Sequence, residues 1–309
     1  VDKVGTGAGR YTTITLAGNV PVIAYMVAND GNDKSSLRLA RGNVANPTAD
    51  SDWKILPINS VLLPACAGKW QKDEVCGKNG TKFSWLKPTA DADKCKPKAC
   101  AKDTQACVSG VCVDVVADNA YAELPAGTGL FPSIAPVENG GVVITFYDSL
   151  KKDRLVALQE KAGAAFKVKS LKTTGDVGLF TSVAVGPQRN IHISYIGENG
   201  DLRYLRLRAN LSIEWDEVVD DGYSQVKNGG EDHLLADSSI AVDNTGVPRI
   251  VYQDATTQSL MVAVRTGSKQ WKLTKLIAGD LEGKQYKGTF GFFADQALLN
   301  GTSFISNFR

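Results

Sequence analysis

The sequence has only two histidines, His192 and His233, and this scarcity narrows the chemistry open to it. A catalytic metal held mainly by histidines needs more imidazoles than these two supply. The chain also lacks a Gly-rich phosphate loop between a strand and a helix, a GxSxG motif and any haem or redox motif. These absences point away from nucleotide chemistry, serine-nucleophile chemistry and histidine-metal catalysis.

Long apolar runs and a charge excess are missing too. No window approaches the roughly 18 consecutive apolar residues of a membrane helix, and Val1 does not open a signal peptide. The 35 basic and 33 acidic residues nearly cancel, which argues against a nucleic-acid partner. We therefore expect no membrane span and no nucleic acid, with any export signal already removed or outside this segment.

The six cysteines are clustered, and no C-x-x-C pair or nearby histidine accompanies them. That spacing favours disulfides over a zinc site, and disulfides persist in an oxidising compartment. Sequence does not choose among the pairings of the six residues, which are Cys66, Cys76, Cys95, Cys100, Cys107 and Cys112.

What the chain does contain is a repeat, seen most clearly in residues 237–276. Four short apolar runs there are separated by turn residues, a pattern that predicts a four-stranded antiparallel meander. The first run, SIAV at 239–242, recurs at 182–185, 133–136 and 13–16, with a weaker copy at 291–294.

The other three runs recur in the same order. Second strands end in an aromatic residue, third strands begin with leucine, and fourth strands begin with Trp53, Phe166, Trp215 or Trp271. Recurrence at intervals of tens of residues is typical of blades around a central axis. Complete copies span 11–57, 131–171, 180–219 and 237–276; a fifth starts near Lys287, turns at Asn300-Gly301 and has two strands.

The pattern S-[IV]-A-V, a turn, P-x-I-x-Y, L-x-x-A and a Trp-led fourth strand resembles the blades of secreted bacterial β-propellers of the sialidase-like kind. The resemblance covers the chain outside the cysteine segment. It implies an all-β propeller of four-stranded antiparallel blades, four complete and a fifth partial, with a disulfide-rich insert. It also implies a bacterial protein that is secreted, periplasmic or on the outer cell surface. Fold alone does not imply an activity.

We divide the chain into a first blade with an N-terminal strand (1–58), a cysteine-rich insert (59–130) and the remaining blades (131–309). Residues 1–5 resemble the end of a fourth strand, such as 217–220. They could close the ring by completing the fifth blade, or both ends could be internal to a longer chain. We favour the second interpretation because neither end offers a third strand.

The second half of the insert, from Cys95 to Cys112, resembles small cysteine-rich modules of exported proteins from myxobacteria and their relatives. The insert is rich in lysine. One interpretation is a solvated surface around a disulfide knot; the other is a docking module for an anionic partner such as a polysaccharide or cell envelope.

Connections from second to third strands, and from fourth strands to the next blade, share one face of a propeller, where sites are usually built. Its candidate ligand-binding residues are Asp30, Asp33, Asp148, Asp254 and His233. Asp148 and Asp254 fall at equivalent positions. Their oxygen atoms could bind calcium, while ordinary turn chemistry explains the same residue types. No other cofactor is expected.

Catalytic residues are not singled out by the sequence. Paired carboxylates would serve a glycosidase, but the Asp-box S-x-D-x-G-x-x-W and the R-I-P motif of sialidases are absent. His192 is expected to be structural, and Trp53, Trp215 and Trp271 are expected to pack between sheets rather than stack on sugars.

The leading functional hypothesis from the sequence is therefore a non-catalytic extracellular or cell-surface protein, which recognises a glycan or protein in adhesion or assembly. One alternative is a polysaccharide-acting glycoside hydrolase or lyase on a propeller scaffold. The other is a structural subunit whose incomplete blade is completed by another chain, within an oligomer or larger assembly.

Overall fold

We describe the protein from a computed structural model, in which regular structure consists of β-strands and single turns of 3-10 helix. The described residues are 2, 6–30, 34–63, 75–79, 82–101, 104–115, 126–171, 179–197, 200–222, 238–255, 257–277 and 290–308.

Four antiparallel sheets of four strands each form the body of the molecule. The first sheet contains β1 (Thr6–Ala17), β2 (Val20–Asn29), β3 (Lys34–Gly42) and β4 (Trp53–Leu62). Two short hairpins follow, with strands β5 (Val75–Asn79), β6 (Lys82–Leu86), β7 (Gln105–Val108) and β8 (Val111–Asp114).

The remaining sheets repeat the order of the first. The second sheet contains β9 (Thr128–Pro136), β10 (Val142–Asp148), β11 (Asp153–Gln159) and β12 (Lys167–Ser170). The third contains β13 (Leu179–Val185), β14 (Ile191–Ile196), β15 (Leu202–Leu207) and β16 (Ile213–Asp220). The fourth contains β17 (Ser238–Val242), β18 (Pro248–Asp254), β19 (Ser259–Gly267) and β20 (Gln270–Ile277). A fifth, two-stranded sheet pairs β21 (Phe292–Leu299) with β22 (Thr302–Phe308).

The first strands of the five sheets lie side by side, β1 against β9, β9 against β13, β13 against β17 and β17 against β21. We call these five the hub strands. Apolar cores fill the spaces between successive sheets; Val22, Ile144 and Phe146 belong to the first core, and Val143, Ile193 and Tyr195 to the second. The architecture is thus all-β and propeller-like, as expected from the repeat.

Serine side chains join neighbouring hub strands. The hydroxyl of Ser133 accepts the N–H of Val183 at 3.0 Å, and Ser182 accepts the N–H of Ile240 at 3.1 Å. At the fourth sheet the Ser239 hydroxyl accepts the N–H of Gln296, at 3.2 Å. We call these three contacts the serine joints. In each, the hydroxyl belongs to the earlier sheet and the N–H to the later one, and the hydroxyl satisfies a backbone donor that packing would otherwise leave unpaired.

These joints correct the alignment of the fifth copy. Gln296 takes the position of Val183 and Ile240, so the counterpart of SIAV is 295–298 and not 291–294. Residue types alone align the start of β21 with SIAV, but a bulge there displaces the register. The turn predicted at Asn300-Gly301 is confirmed between β21 and β22.

Tryptophans and charges fill the space between the third and fourth sheets. Trp215 lies between the guanidinium groups of Arg206 and Arg265, 4.1 and 4.2 Å from its ring centre. Trp271 packs edge-on against Tyr204 at 5.1 Å. The expectation that these tryptophans are packing residues is confirmed for both.

Among the described residues of the cysteine segment there are two disulfides, Cys95–Cys107 and Cys100–Cys112. Cys66 and the side chain of Cys76 lie outside the described residues. β4 continues to Leu62, past the expected end of the first blade at residue 58. The disulfides indicate a non-cytoplasmic compartment. Within the described ranges no helix has the length and apolar character needed to cross a membrane.

Candidate functional site

The hub strands all begin at the same end of their sheets. The second and fourth strands of each four-stranded sheet end there. We call this end the loop face. Near it, four hub strands carry a register shift and an aromatic residue with positive φ: Tyr11 (48°), Phe131 (48°), Phe180 (51°) and Phe293 (50°). A bulky residue in this conformation is an outlier, and its repetition indicates a constraint on where the ring points.

Three of these aromatic rings form a continuous row across the first three sheets. The ring centres of Tyr11 and Phe131 are 4.8 Å apart, and those of Phe131 and Phe180 are 4.7 Å apart, with the rings tilted. All three side chains remain half-buried. We call Tyr11, Phe131 and Phe180 the aromatic row. Pyranose rings are apolar on one face, so such a row offers a stacking surface to a sugar chain.

Sequence reasoning missed the aromatic row, although a signal for it exists. The pattern G-x-[FY]-x-[ST] precedes the strand signature at residues 9–13, 129–133 and 178–182, and a G-F-F-A-D variant occupies 291–295. The glycine and aromatic lie just before the aligned SIAV segment. The aromatic residues open the predicted copies at 11, 131 and 180, but they precede the SIAV segments that mark the first strands in the sequence.

Two carboxylates lie near the hub strand of the fourth sheet, one on each side of it. Asp295, on β21, is exposed and accepts the Ser239 hydroxyl at 2.8 Å. On the other side Asp220 ends β16 and accepts the hydroxyl of Tyr252 at 2.6 Å. Asp220 contacts Tyr252, whose register partner is Ser238, and Asp295 contacts Ser239. The two carboxylates therefore contact adjacent positions of the hairpin formed by β17 and β18.

Asp220 is 3% exposed, and burial raises the pKa of its carboxyl above the usual value. Hydrogen bonds from Tyr252 and the N–H of Gly222 act in the opposite direction, while the negative charges of Asp254 and Asp221 reinforce the rise. A carboxyl whose pKa is raised in this way retains its proton to higher pH, as a general acid requires.

The candidate site residues predicted from the sequence do not form one cluster among the described residues. Asp148 and Asp254 are fully buried at the loop-face ends of β10 and β18, in different sheets. Asp30 follows β2 and donates its N–H to the carbonyl of Lys34 at 2.8 Å, as a turn residue. Asp33 and His233 lie outside the described residues.

His192 is buried against Tyr204, whose hydroxyl lies 2.7 Å from the imidazole Nδ1. Burial lowers the pKa of His192 to about 3, and the positive charges of Arg206 and Arg265 contribute to that shift. The residue is therefore a neutral packing element, as the sequence predicted.

A cavity of about 350 Å³ opens at the opposite end of the second and third sheets. Its walls include Leu158 and Ile191, and its rim carries Glu138, Glu160 and Arg189. The acidic groups are engaged, since Arg189 pairs with Glu138 and Lys167 pairs with Glu160. The acidic side chains of this cavity are thus committed to ion pairs.

No protein-family model and no curated protein matches this chain. Solved structures do resemble it. One is an exo-β-1,3-galactanase of Phanerochaete chrysosporium, at 11% identity over 88% of this chain and 50% of the other, with a TM-score of 0.41. Another is a Hadza microbial sialidase, at 9% identity over 88% and 47%, with a TM-score of 0.42.

A third similar structure is a protein of unknown function from Dyadobacter fermentans, at 11% identity over 99% of this chain and 92% of the other, with a TM-score of 0.43. The chain spans about half the length of the galactanase and the sialidase. The leading hypothesis from the sequence, a non-catalytic binding or assembly protein, is contradicted by this comparison, because the galactanase and the sialidase among the similar structures are glycoside hydrolases.

Proposed function

We propose that the chain is a glycoside hydrolase that acts on a polysaccharide laid across the loop face. The observation that carries this proposal is the aromatic row of Tyr11, Phe131 and Phe180, whose rings follow one another at 4.7 to 4.8 Å. Their unusual backbone conformation is repeated strand by strand at a cost of about 1 kcal/mol or more each. Stacking of the three rings on successive sugar units offsets the free-energy cost of that conformation.

The catalytic pair in this proposal is Asp295 and Asp220. Asp220, with its raised pKa, is the general acid that protonates the leaving glycosidic oxygen. Asp295 is exposed and serves as the base that activates water. Asp220 and Asp295 lie on opposite sides of the fourth sheet, so a sugar chain reaches both carboxylates where it crosses the loop-face end of that sheet.

The proposal also covers the architecture of the protein and the compartment in which it works. We infer that the five sheets are blades of a β-propeller, divided at 1–58, 59–130 and 131–309. We also infer that the protein works outside the cytoplasm of a bacterium, where both its disulfides and its polysaccharide substrate would be found.

The test is hydrolysis of a panel of galactan, arabinan, xylan and sialylated glycans, followed by reducing-end release and by the anomer first formed. Asp295→Asn should lower kcat by about 100-fold or more, because the base is lost while the shape is kept. Glu160→Gln, at the opposite end of the sheets, should leave kcat unchanged. Release of an unsaturated product would identify a lyase instead. No product from any polysaccharide, or full activity of Asp295→Asn, would refute the assignment.

A further inference from the structure

Asp148 and Asp153 face each other across the hairpin that joins β10 to β11. They are direct register partners, so their side chains leave the same face of the second sheet. Asp148 is fully buried and Asp153 is 5% exposed. Like charges directly opposite in a sheet are destabilising, and burial strengthens their repulsion.

Each of the two carboxylates retains one buried oxygen that no donor among the described residues reaches. Asp148 Oδ1 accepts the N–H groups of Leu150 and Lys151, at 3.1 and 3.2 Å, but Oδ2 has no partner. Asp153 Oδ2 accepts the hydroxyl of Ser170 at 2.5 Å, but Oδ1 has no partner. A buried carboxylate oxygen without a partner is costly, and a bound cation or a proton would offset that cost.

The fourth sheet shows what the same hairpin position does when it is only a turn. There Asp254 receives the N–H of Thr257 on Oδ1 at 2.9 Å and its hydroxyl on Oδ2 at 2.6 Å. Its register partner is Ser259, a neutral residue. The second sheet differs in two ways. The residue opposite Asp148 is an acid, Asp153, and one oxygen of each carboxylate has no hydrogen-bond partner among the described residues.

A third residue with a side-chain oxygen lies beside this pair of aspartates. Thr128 on β9 is the register partner of Asp148 on its other side, and it is fully buried. Thr128, Asp148 and Asp153 therefore form a row of oxygen groups over three adjacent strands. We propose that this row binds one calcium ion, with Asp148 Oδ2 and Asp153 Oδ1 as its carboxylate ligands.

Calcium suits the site because it accepts carboxylate, hydroxyl and carbonyl oxygens in irregular geometry, whereas magnesium demands a near-ideal octahedron. The ion would cancel the repulsion between the two aspartates. It would also fix the loop-face hairpin of the second sheet, beside the hub strand that carries Phe131. This proposal does not depend on the hydrolase assignment, because it concerns binding and stability alone.

The experiment uses the full chain, freed of metal with a chelator and titrated with Ca²⁺ or Mg²⁺ by calorimetry and thermal unfolding. We expect one Ca²⁺ site and a melting midpoint that rises with Ca²⁺ concentration. Asp148→Asn and Asp153→Asn should each weaken Ca²⁺ binding about 10-fold or more, as expected when a ligand charge is removed. Asp254→Asn, the matched control at the equivalent position, should bind Ca²⁺ like the wild type.

A second measurement separates lost binding from lost folding. In chelator, Asp148→Asn should melt no lower than wild type, since the repulsion with Asp153 is relieved; in Ca²⁺ it should melt lower. A wild-type protein that neither binds nor is stabilised by Ca²⁺ would overturn the proposal. So would variants that bind Ca²⁺ as tightly as wild type, or a site that takes Mg²⁺ in preference.

Discussion

At the scale of single residues, buried polar groups mark the boundaries between sheets. Glu217 is an example: it accepts two hydrogen bonds from Arg265, at 2.8 and 3.1 Å, and one from the indole of Trp271 at 3.2 Å. Burial alone would raise the pKa of its carboxyl, but these donors and the N–H of Lys269 hold it below the usual value. The charge is retained because every neighbour favours it.

His192 illustrates the opposite case and predicts a pH dependence of stability. Its pKa is lowered to about 3 in the folded state, whereas an unfolded histidine titrates near 6.5. Between these two values the unfolded chain binds the extra proton, so the free energy of unfolding falls as pH is lowered through that window. Urea unfolding from pH 7 to 4 should show this decline.

The matched variant for this prediction is His192→Val combined with Tyr204→Phe, which removes both partners of the buried hydrogen bond. Valine is the residue that the first two sheets place at this position, as Val22 and Val143. The variant should lose about 1.4 kcal/mol per pH unit of slope within the window. An unchanged slope would mean that the decline comes from other groups.

At the scale of elements, the serine joints between hub strands predict a stability effect. In Ser182→Ala the N–H of Ile240 loses its acceptor between two packed sheets, so the variant should be destabilised by about 1 to 2 kcal/mol. Chemical denaturation measures this loss. Ser212→Ala, in an exposed turn of the third sheet, is the control and should change little. Equal losses in both variants would show that the joint contributes nothing beyond an ordinary serine.

The elements were largely predictable from the sequence because alternation and turn residues are local signals. The four meanders and the hairpin of β21 and β22 follow from that pattern. The bulges at Tyr11, Phe131 and Phe180 do not, since a register shift depends on the neighbouring strand and on a conformation that propensity disfavours. The pairing of Asp148 with Asp153 was likewise hidden, because their significance arises only when the two strands are in register.

At the scale of the whole molecule, the disulfides and the sheets form separate sources of stability. The bonds Cys95–Cys107 and Cys100–Cys112 close loops within the cysteine segment, each over a sequence separation of 12. Their cysteines pack with one another, as a small cluster apart from the apolar cores between sheets. Disulfides over loops of this size stabilise the folded segment by about 3 kcal/mol each.

Reduction should therefore affect one part of the molecule selectively. With dithiothreitol present, trypsin should cleave after Lys94 and Lys98 much faster, while the thermal transition of the sheets followed by circular dichroism stays within a few degrees. An oxidised sample with iodoacetamide-blocked thiols is the control. A large fall in the sheet transition on reduction would show that the cysteine segment supports the sheets.

The serine joints also bear on how the chain could be rearranged. Every joint has the same partners in the same sense, a hydroxyl of one sheet and an amide of its successor, so the joint itself requires no specific side chain in the later sheet. As far as these joints are concerned, residues 179–220 form a repeat module, although Glu217 also binds Arg265 and Trp271 of the fourth sheet. Duplicating that module in tandem, or opening the gene between two sheets and fusing the old ends, would preserve the joints that remain.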